Sequence, residues 1–485
     1  MITRRTLLRT GVAASATLGT AGLLLPALTD VAQAADLDAS TIPKFAQAMP
    51  VPQPLEPYSD DGDADVYKLT MKETTAEIVP GFRTAVRTYG DSFPGPLIQA
   101  TSGRPVVIHQ TNRLSVDTSV HLHGGHVPAK SDGAPMDLIA AGGGRRTYVY
   151  PNQQPHANLW FHDHAHHMES ENVFRGLAGL YLLTDDVEDG LDLPDEEQDV
   201  PIALRDARFD SAGQLVYVMG DRLRNVVLAN GKAWPYFEVA TRRYRFRVFN
   251  TSNQRFFKLA LSDGSAFQQI GSDGGLLPAP LTTTSVFLSP GERADVVVDF
   301  GHYPVGTTLV LKNTFGDQSA PTAQVLQFRV TRRERDDTEP LPDTLRTLPE
   351  LPAATTTRDF RLSMDEGPAT PGAMPMAYIN GLVYDSDRID TVIPYGSTEV
   401  WTVTNTNQRM PHNFHLHLVQ FRVLERGGKP VTSGPECGLK DTVSLLPGES
   451  VKLQATFTGY RGEYLYHCHL IDHAAMGMMG TMKIV

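Results

Sequence analysis

At 485 residues the chain is too long for one ordinary domain and has room for two to four. Its 41% hydrophobic and 20% charged residues mark a folded globular protein, and 41 Gly with 34 Pro suit many strands and turns. The formal charge of −12 argues against nucleic acid or an anionic membrane surface as partner, and two cysteines, Cys437 and Cys468, exclude a disulfide framework.

The first stretch is a targeting signal. Arg4-Arg5 precedes an apolar run from about Gly11 to Leu28, and Ala32-Gln33-Ala34 offers a small-residue cleavage site. No stop-transfer pattern follows, so residues 1–34 read as a twin-arginine signal peptide that leaves no membrane anchor behind. Its removal deletes three arginines and Asp30, leaving a mature charge of about −14. The expected location is periplasmic, cell-envelope or secreted. Residues 36–65, rich in Pro and Asp, predict an irregular arm over the surface. Strand-like alternation then takes over at 66–71, 105–109 and 148–150, with one short helix expected near 172–175. The class is all-β.

Two linkers punctuate this pattern, an acidic one at 184–199 and a charged, Pro-rich one at 331–358. They predict domains over 35–190, 191–335 and 336–485. The parts repeat one unit. Asn250, directly before a TSNQR stretch, precedes Pro290-Gly291-Glu292 by 40 residues, and Asn405, directly before a TNQR stretch, precedes Pro447-Gly448-Glu449 by 42. Asn112 before His121 echoes the same pattern, so three β-sandwiches are expected. The middle unit carries Phe256–Leu261 where the last carries His412–His417, and no metal is assigned to it.

Ten of the sixteen histidines fall in four short motifs: His121-Leu122-His123, His162-Asp163-His164, His412-Asn413-Phe414-His415-Leu416-His417, and the tail cluster His467, His469 and His473. On a strand, residues two apart share a face, so each His-x-His pair presents two imidazoles together. Four such pairs would supply eight nitrogens to a multi-metal cluster, leaving His412 and His473 over. Cys468, between His467 and His469, points the opposite way. A thiolate, a later imidazole and a weak axial thioether are the donors of a blue-copper site.

These motifs resemble those of three-domain multicopper oxidases, close in pattern to bacterial spore-coat laccases and bilirubin oxidases. The stretches 150–154, 229–235, 243–247 and 438–443 add to the likeness, which covers nearly the whole mature chain. The resemblance implies three consecutive cupredoxin-like Greek-key sandwiches and four copper ions: one type 1, one type 2 and two type 3. It assigns His412, Cys468, His473 and axial Met478 to type 1, and His121 and His415 to type 2. One type 3 ion takes His123, His162 and His469, and the other takes His164, His417 and His467. Cys468 then links the type 1 site to the cluster through its own backbone. Asp132, in Ser131-Asp132-Gly133, falls where the family has an acid near the cluster. It reads as a carboxylate delivering protons to O2 reduction, or else as a turn Asp before Gly.

Three positions depart from the family. Ala474 follows His473 where an acid is usual, so that role is absent or moved to Asp472, itself otherwise a solvated turn residue. Met410 stands where bilirubin oxidases carry Trp, and Asn413 replaces the usual Pro. His126, His166 and His167 match no ligand position, and Cys437 reads as a small buried residue. Met364, Met374 and Met376 read as a soft metal-ion site or as loop and core packing. The implied activity is laccase-like: one-electron oxidation of a phenol or aromatic amine coupled to four-electron reduction of O2. A metal-ion oxidase for Cu(I) or Mn(II), or a copper-free structural relative of the envelope, are the rivals. The expected partners are a small-molecule reductant and O2, with a monomeric chain.

Overall fold

Alternating burial drives the architecture. In the strand Asp65–Ala76, Tyr67, Leu69 and Met71 turn into the core with Ile108 and Tyr148, while Lys68 faces solvent. Each such side chain contributes roughly 1.5–3 kcal/mol of transfer free energy. The computed structural model describes residues 35–60, 62–335, 340–350, 352–366 and 375–485; residues 1–34, expected to be a signal peptide, and Met374 lie outside the described residues.

The described strands pair into six sheets, two in each third of the chain. The first sheet of each third rests on a parallel pair: Asp65–Ala76 with Val106–Asn112, Asp199–Ala207 with Arg243–Asn250, and Thr356–Met364 with Thr398–Asn405. Gly144–Tyr150, Arg293–Asp299 and Ser450–Thr456 close antiparallel on these pairs. The second sheets hold a parallel pair too: Leu97–Thr101 with Ala178–Thr184, Tyr236–Ala240 with Gln324–Arg332, and Thr391–Ile393 with Met479–Ile484. Parallel neighbours require crossovers, so each third is a crossed-over sandwich rather than a meander. The all-β expectation holds.

The repeated Asn has a physical reason. Asn112, Asn250 and Asn405 each end a strand, and each Oδ1 accepts the backbone N–H two residues on, from Leu114, Ser252 and Asn407. Their Nδ2 groups donate to two carbonyls each: Val116 and Ile139 for Asn112, and, in the other units, one of the turn and one of a second strand, Arg255 and Leu288, Met410 and Leu445. An Asx turn thus pins the first sheet to the second in the middle and last units, and to the loop at Ile139 in the first. In the Pro-Gly-Glu turns, Glu292 and Glu449 accept the backbone N–H three residues back.

Two expectations need correction. The arm is irregular, yet it does more than wrap the surface: Ala39, Ile42 and Met49 are buried in the middle sandwich's core, and the Phe45 and Met49 amides bond to the carbonyls of Trp234 and Tyr236. The acidic linker is also built in. Glu188, at 4% exposure, pairs with Arg245 and Arg247, and Asp185 pairs with Arg346. Buried guanidinium groups demand such partners, and a linear sequence does not show which acids they take. The expected helix is present as Glu169–Arg175, and short helices at Asp186–Asp189 and Ile471–Ala475 were not foreseen.

Candidate metal centre

Two sheets, one from the first sandwich and one from the third, present the four His-x-His pairs. His121 and His123 lie on Val120–His123, and His162 lies on Ala157–Asp163 directly opposite His121. His415, on His412–Leu416, opposes His467, the last residue of Gly462–His467. His164, His417 and His469 follow just past these strand ends. All eight rings are buried.

Imidazole nitrogens meet in threes at two points. His469 Nε2 lies 3.0 Å from His123 Nδ1 and 3.3 Å from His162 Nε2. His467 Nε2 lies 3.3 Å from His164 Nε2 and 3.1 Å from His417 Nε2. His121 Nε2 and His415 Nε2 are buried without a protein partner. The opposite ring atoms explain this. The Nδ1–H groups of His121, His162, His415 and His467 donate to the backbone carbonyls of Asp132, Asp163, Asp441 and Cys468 at 2.7–3.0 Å. A ring whose proton is committed on one side leaves a lone pair on the other. Burial first, and neighbouring imidazoles second, hold His162, His164, His467 and His469 well below the usual histidine range, so the rings are neutral. Neutral lone pairs converging without protons between them fit a metal donor set.

Cys468 faces the other way, as period two requires. Its Sγ is 3.8 Å from His412 Nδ1 and 3.7 Å from His473 Nδ1, and these two nitrogens are 3.1 Å apart. His412 Nε2–H donates to Asn407 Oδ1 at 2.8 Å, which leaves Nδ1 as the free donor. Burial pushes the Cys468 thiol up to about 12, so a bound cation is what would draw off its proton. Met478 is fully buried; its amide donates to the His473 carbonyl and its carbonyl accepts from the Cys468 amide, so it is tied to both. One soft sulfur with imidazoles, beside eight imidazoles, suits copper.

Two carboxylates hold the cluster, and only one was foreseen. Asp132 accepts from His417 Nδ1 at 2.8 Å while its carbonyl holds His121. Burial raises its carboxyl, but His417 and His121 outweigh that and keep it well below the usual range. It ends the short turn Ala129–Ser131 before Gly133 (φ 74), so it is a turn residue as well. Asp132→Asn is expected to lower turnover by roughly 10–100-fold, as loss of such ligand supports does, measured by O2 uptake. Asp441 accepts from His123 Nε2 at 2.9 Å, its carbonyl holds His415, and Arg293 of the middle sandwich clamps it at 2.7 and 2.6 Å. Arg293, fully buried, also holds the carbonyls of Asn158 and Asp273. Position 441 sits in a stretch noted only for its likeness, and nothing local marks its role.

Gly291 closes this side. At φ +88 a Cβ there would meet His469 Cγ and Nδ1 at 2.9 Å and His123 Cε1 at 3.1 Å. Gly291→Ala is therefore expected to displace His469 and cut metal loading, read by metal analysis of the purified protein.

The departures also acquire reasons. Asn413 Oδ1 accepts from the His469 and Leu470 amides at 2.5 and 3.1 Å and lies 3.5 Å from Cys468 Sγ, while its Nδ2 donates to Ser289 and Pro290 of the middle sandwich. Asp472 is no solvated turn residue: it is buried and takes bonds from Ser170, Gly220 N (2.7 Å), Arg224 (2.8 Å), Asn253 (3.2 Å) and Gln254 (2.6 Å). Met410 Sδ lies 3.1 Å from the exposed Arg222. His126 Nδ1–H donates to the Leu418 carbonyl at 2.8 Å, and the His166 ring lies tilted against that of His167 at 3.7 Å, away from the donor groups above. Cys437 is half-buried rather than buried, and both cysteines are free. Met364 packs against the third sandwich's core.

Comparison with known proteins agrees with this geometry. Multicopper oxidase family models match residues 70–188, 225–333 and 349–485. The chain is 34% identical over 512 residues to a laccase of Bacillus stratosphericus, covering 91% of this chain and 99% of the relative. It is 33% identical over 474 residues to a bilirubin oxidase of Albifimbria verrucaria, covering 91% and 81%. Its fold matches the crystal structure of a laccase from Pediococcus acidilactici with a TM-score of 0.83, at 31% identity and 91% and 94% coverage. With three matching models, full-length relatives and ten buried histidines around one buried thiol, the chain belongs to the multicopper oxidases, copper oxidoreductases that use O2.

Proposed function

We propose that this protein is a laccase-like oxidase that takes single electrons from a phenol or aromatic amine and reduces O2 to two waters. The observation that carries it is the placement of Cys468. Its sulfur faces His412 and His473, while the residues on either side, His467 and His469, face the eight-histidine cluster. Two redox sites joined by one stretch of backbone suit a protein that collects electrons at one and spends them at the other. Copper held by these groups supplies one-electron exchange at the sulfur and O2 reduction at the histidines.

The chain's own residues do the positioning. Asp441 and Asp132 fix His123 and His417, the four carbonyl contacts fix ring tautomers, and burial keeps His162, His164, His467 and His469 neutral and free to ligate. We assign His412, Cys468, His473 and Met478 to one ion and the eight cluster histidines to three, with the ligand sets stated above. The domain divisions, twin-arginine export to the periplasm, envelope or medium, and a monomeric state belong to the same reading. Among the described residues no helix is long and apolar enough to cross a membrane.

Metal analysis of the copper-loaded protein is expected to find about four coppers per chain in a blue protein. Steady-state O2 uptake with a phenol, bilirubin, Cu(I) and Mn(II) decides the reductant. Saturable turnover with the phenol supports the reading, while turnover only with a metal ion replaces it with a metal-ion oxidase. One copper or none overturns the cluster.

A further inference from the structure

Reduction of one O2 to two waters takes four electrons and four protons, and the cluster is sealed from solvent. The protons need a carrier that is itself buried and holds a proton at neutral pH. Glu169 has both properties. It is 2% exposed, and neither carboxyl oxygen finds a hydrogen-bond partner. A buried carboxylate left in that state would cost far more than a neutral carboxylic acid. Burial raises its pKa most, the negative charges of Asp163 and Asp472 raise it further, and the nearby amides of Glu169 and Met168 only partly offset this, so it is pushed up to about 8.

Its location is the second observation. Glu169 opens the helix Glu169–Arg175, five residues after His164, and that helix packs against Ile471–Ala475, the helix that carries His473. The next residue, Ser170, bonds to Asp472. Three groups face Glu169: Asp163 from the ligand strand, Asp472 with its partner Arg224 from the opposing helix, and Tyr384 from the loop beyond, whose own phenol is raised by burial and then by Glu169. Tyr384 leads outward: its ring lies 5.2 Å from that of half-buried His166, whose ring is tilted against that of exposed His167 at 3.7 Å. These are two of the three histidines without a ligand position.

We propose that Glu169 is the proton-holding residue for O2 reduction, fed from solvent on the Tyr384 and His166 side, a role that rests on the oxidase reading above. Each proton consumed leaves the Glu169 carboxyl O–H, and the carboxylate takes the next one from solvent; the electrons come from the reductant.

The test uses Glu169→Gln, which keeps size and polarity but carries no transferable proton. Metal-free wild type is expected to show the infrared band of a buried carboxylic acid that disappears as pH rises through about 8 and is missing from Glu169→Gln. The stability difference has a defined sign. A raised carboxyl pKa lowers wild-type stability between about pH 4.5 and 8, so the metal-free variant is expected to gain denaturant resistance over wild type across that window. In the copper-loaded variant, copper content and blue absorbance are expected to match wild type. O2 turnover is expected to fall about 10²-fold with a shifted pH profile, while anaerobic bleaching by a phenol keeps its rate. A Glu169 ionised at neutral pH in wild type, or a loaded variant with wild-type turnover and pH profile, overturns the assignment. Wild type that takes up no O2 with any reductant overturns the oxidase reading instead.

Discussion

Cys468→Ser is expected to bleach the copper-loaded protein and to stop phenol-driven O2 uptake. The thiol is fully buried between His412 and His473 and supplies the one soft, charge-donating ligand of that group. A serine hydroxyl in the same apolar surroundings does not ionise to take its place. The histidine cluster draws nothing from the sulfur, since His467 and His469 point away from it, so roughly three of four coppers are expected to remain. Absorption spectroscopy together with metal analysis checks this. Loss of all copper would mean that Cys468 organises both sites, and retained blue colour would remove it from the ligands.

Asp472→Ala is expected to cost about 3–5 kcal/mol of stability. The carboxylate is fully buried, and Arg224, at 1% exposure, is its direct ion-pair partner at 2.8 Å. Removing the acid leaves that guanidinium with Asp206, at 3.9 Å, as its one ion-pair partner among the described residues, and removes the acceptor of Ser170, Asn253, Gln254 and Gly220. Those partners come from the first and middle thirds of the chain, so the loss falls on the seams between sandwiches and on the helix that holds His473. The denaturant midpoint measures it, and Asp472→Asn, which keeps an acceptor, is expected to lose less. A midpoint unchanged in Asp472→Ala would show that the seam is held elsewhere.

Much of the metal centre was legible in the sequence because it obeys local rules. Residues two apart on a strand share a face whatever surrounds them, so His121 with His123, His467 with His469, and Cys468 facing away from both follow from spacing alone. The three repeated Asn residues were legible for a similar reason: an Asx turn closes within two residues of the strand end. The metal-binding residue types, the all-β class and the position of a short helix belong to this same short range.

What only the tertiary structure decided is how the charges are paired. Asp441 supports His123 and Arg293 across 318 and 148 positions, and Asp472 meets Arg224 across 248. In the sequence Asp472 is open between the missing acid's role and a solvated turn, and the acids of the 184–199 stretch pass for a linker, although Glu188 is a buried partner of two arginines. Burial makes a counter-charge obligatory, but a sequence carries no record of which distant acid will be folded beside which arginine. The same holds for Glu169: an acidic residue in a helix reads as solvated, and only the packing of two helices buries its carboxyl oxygens without a hydrogen-bond partner. Backbone sterics act over a few residues and are written in the spacing; desolvation acts over the whole fold and is settled only when the chain has packed.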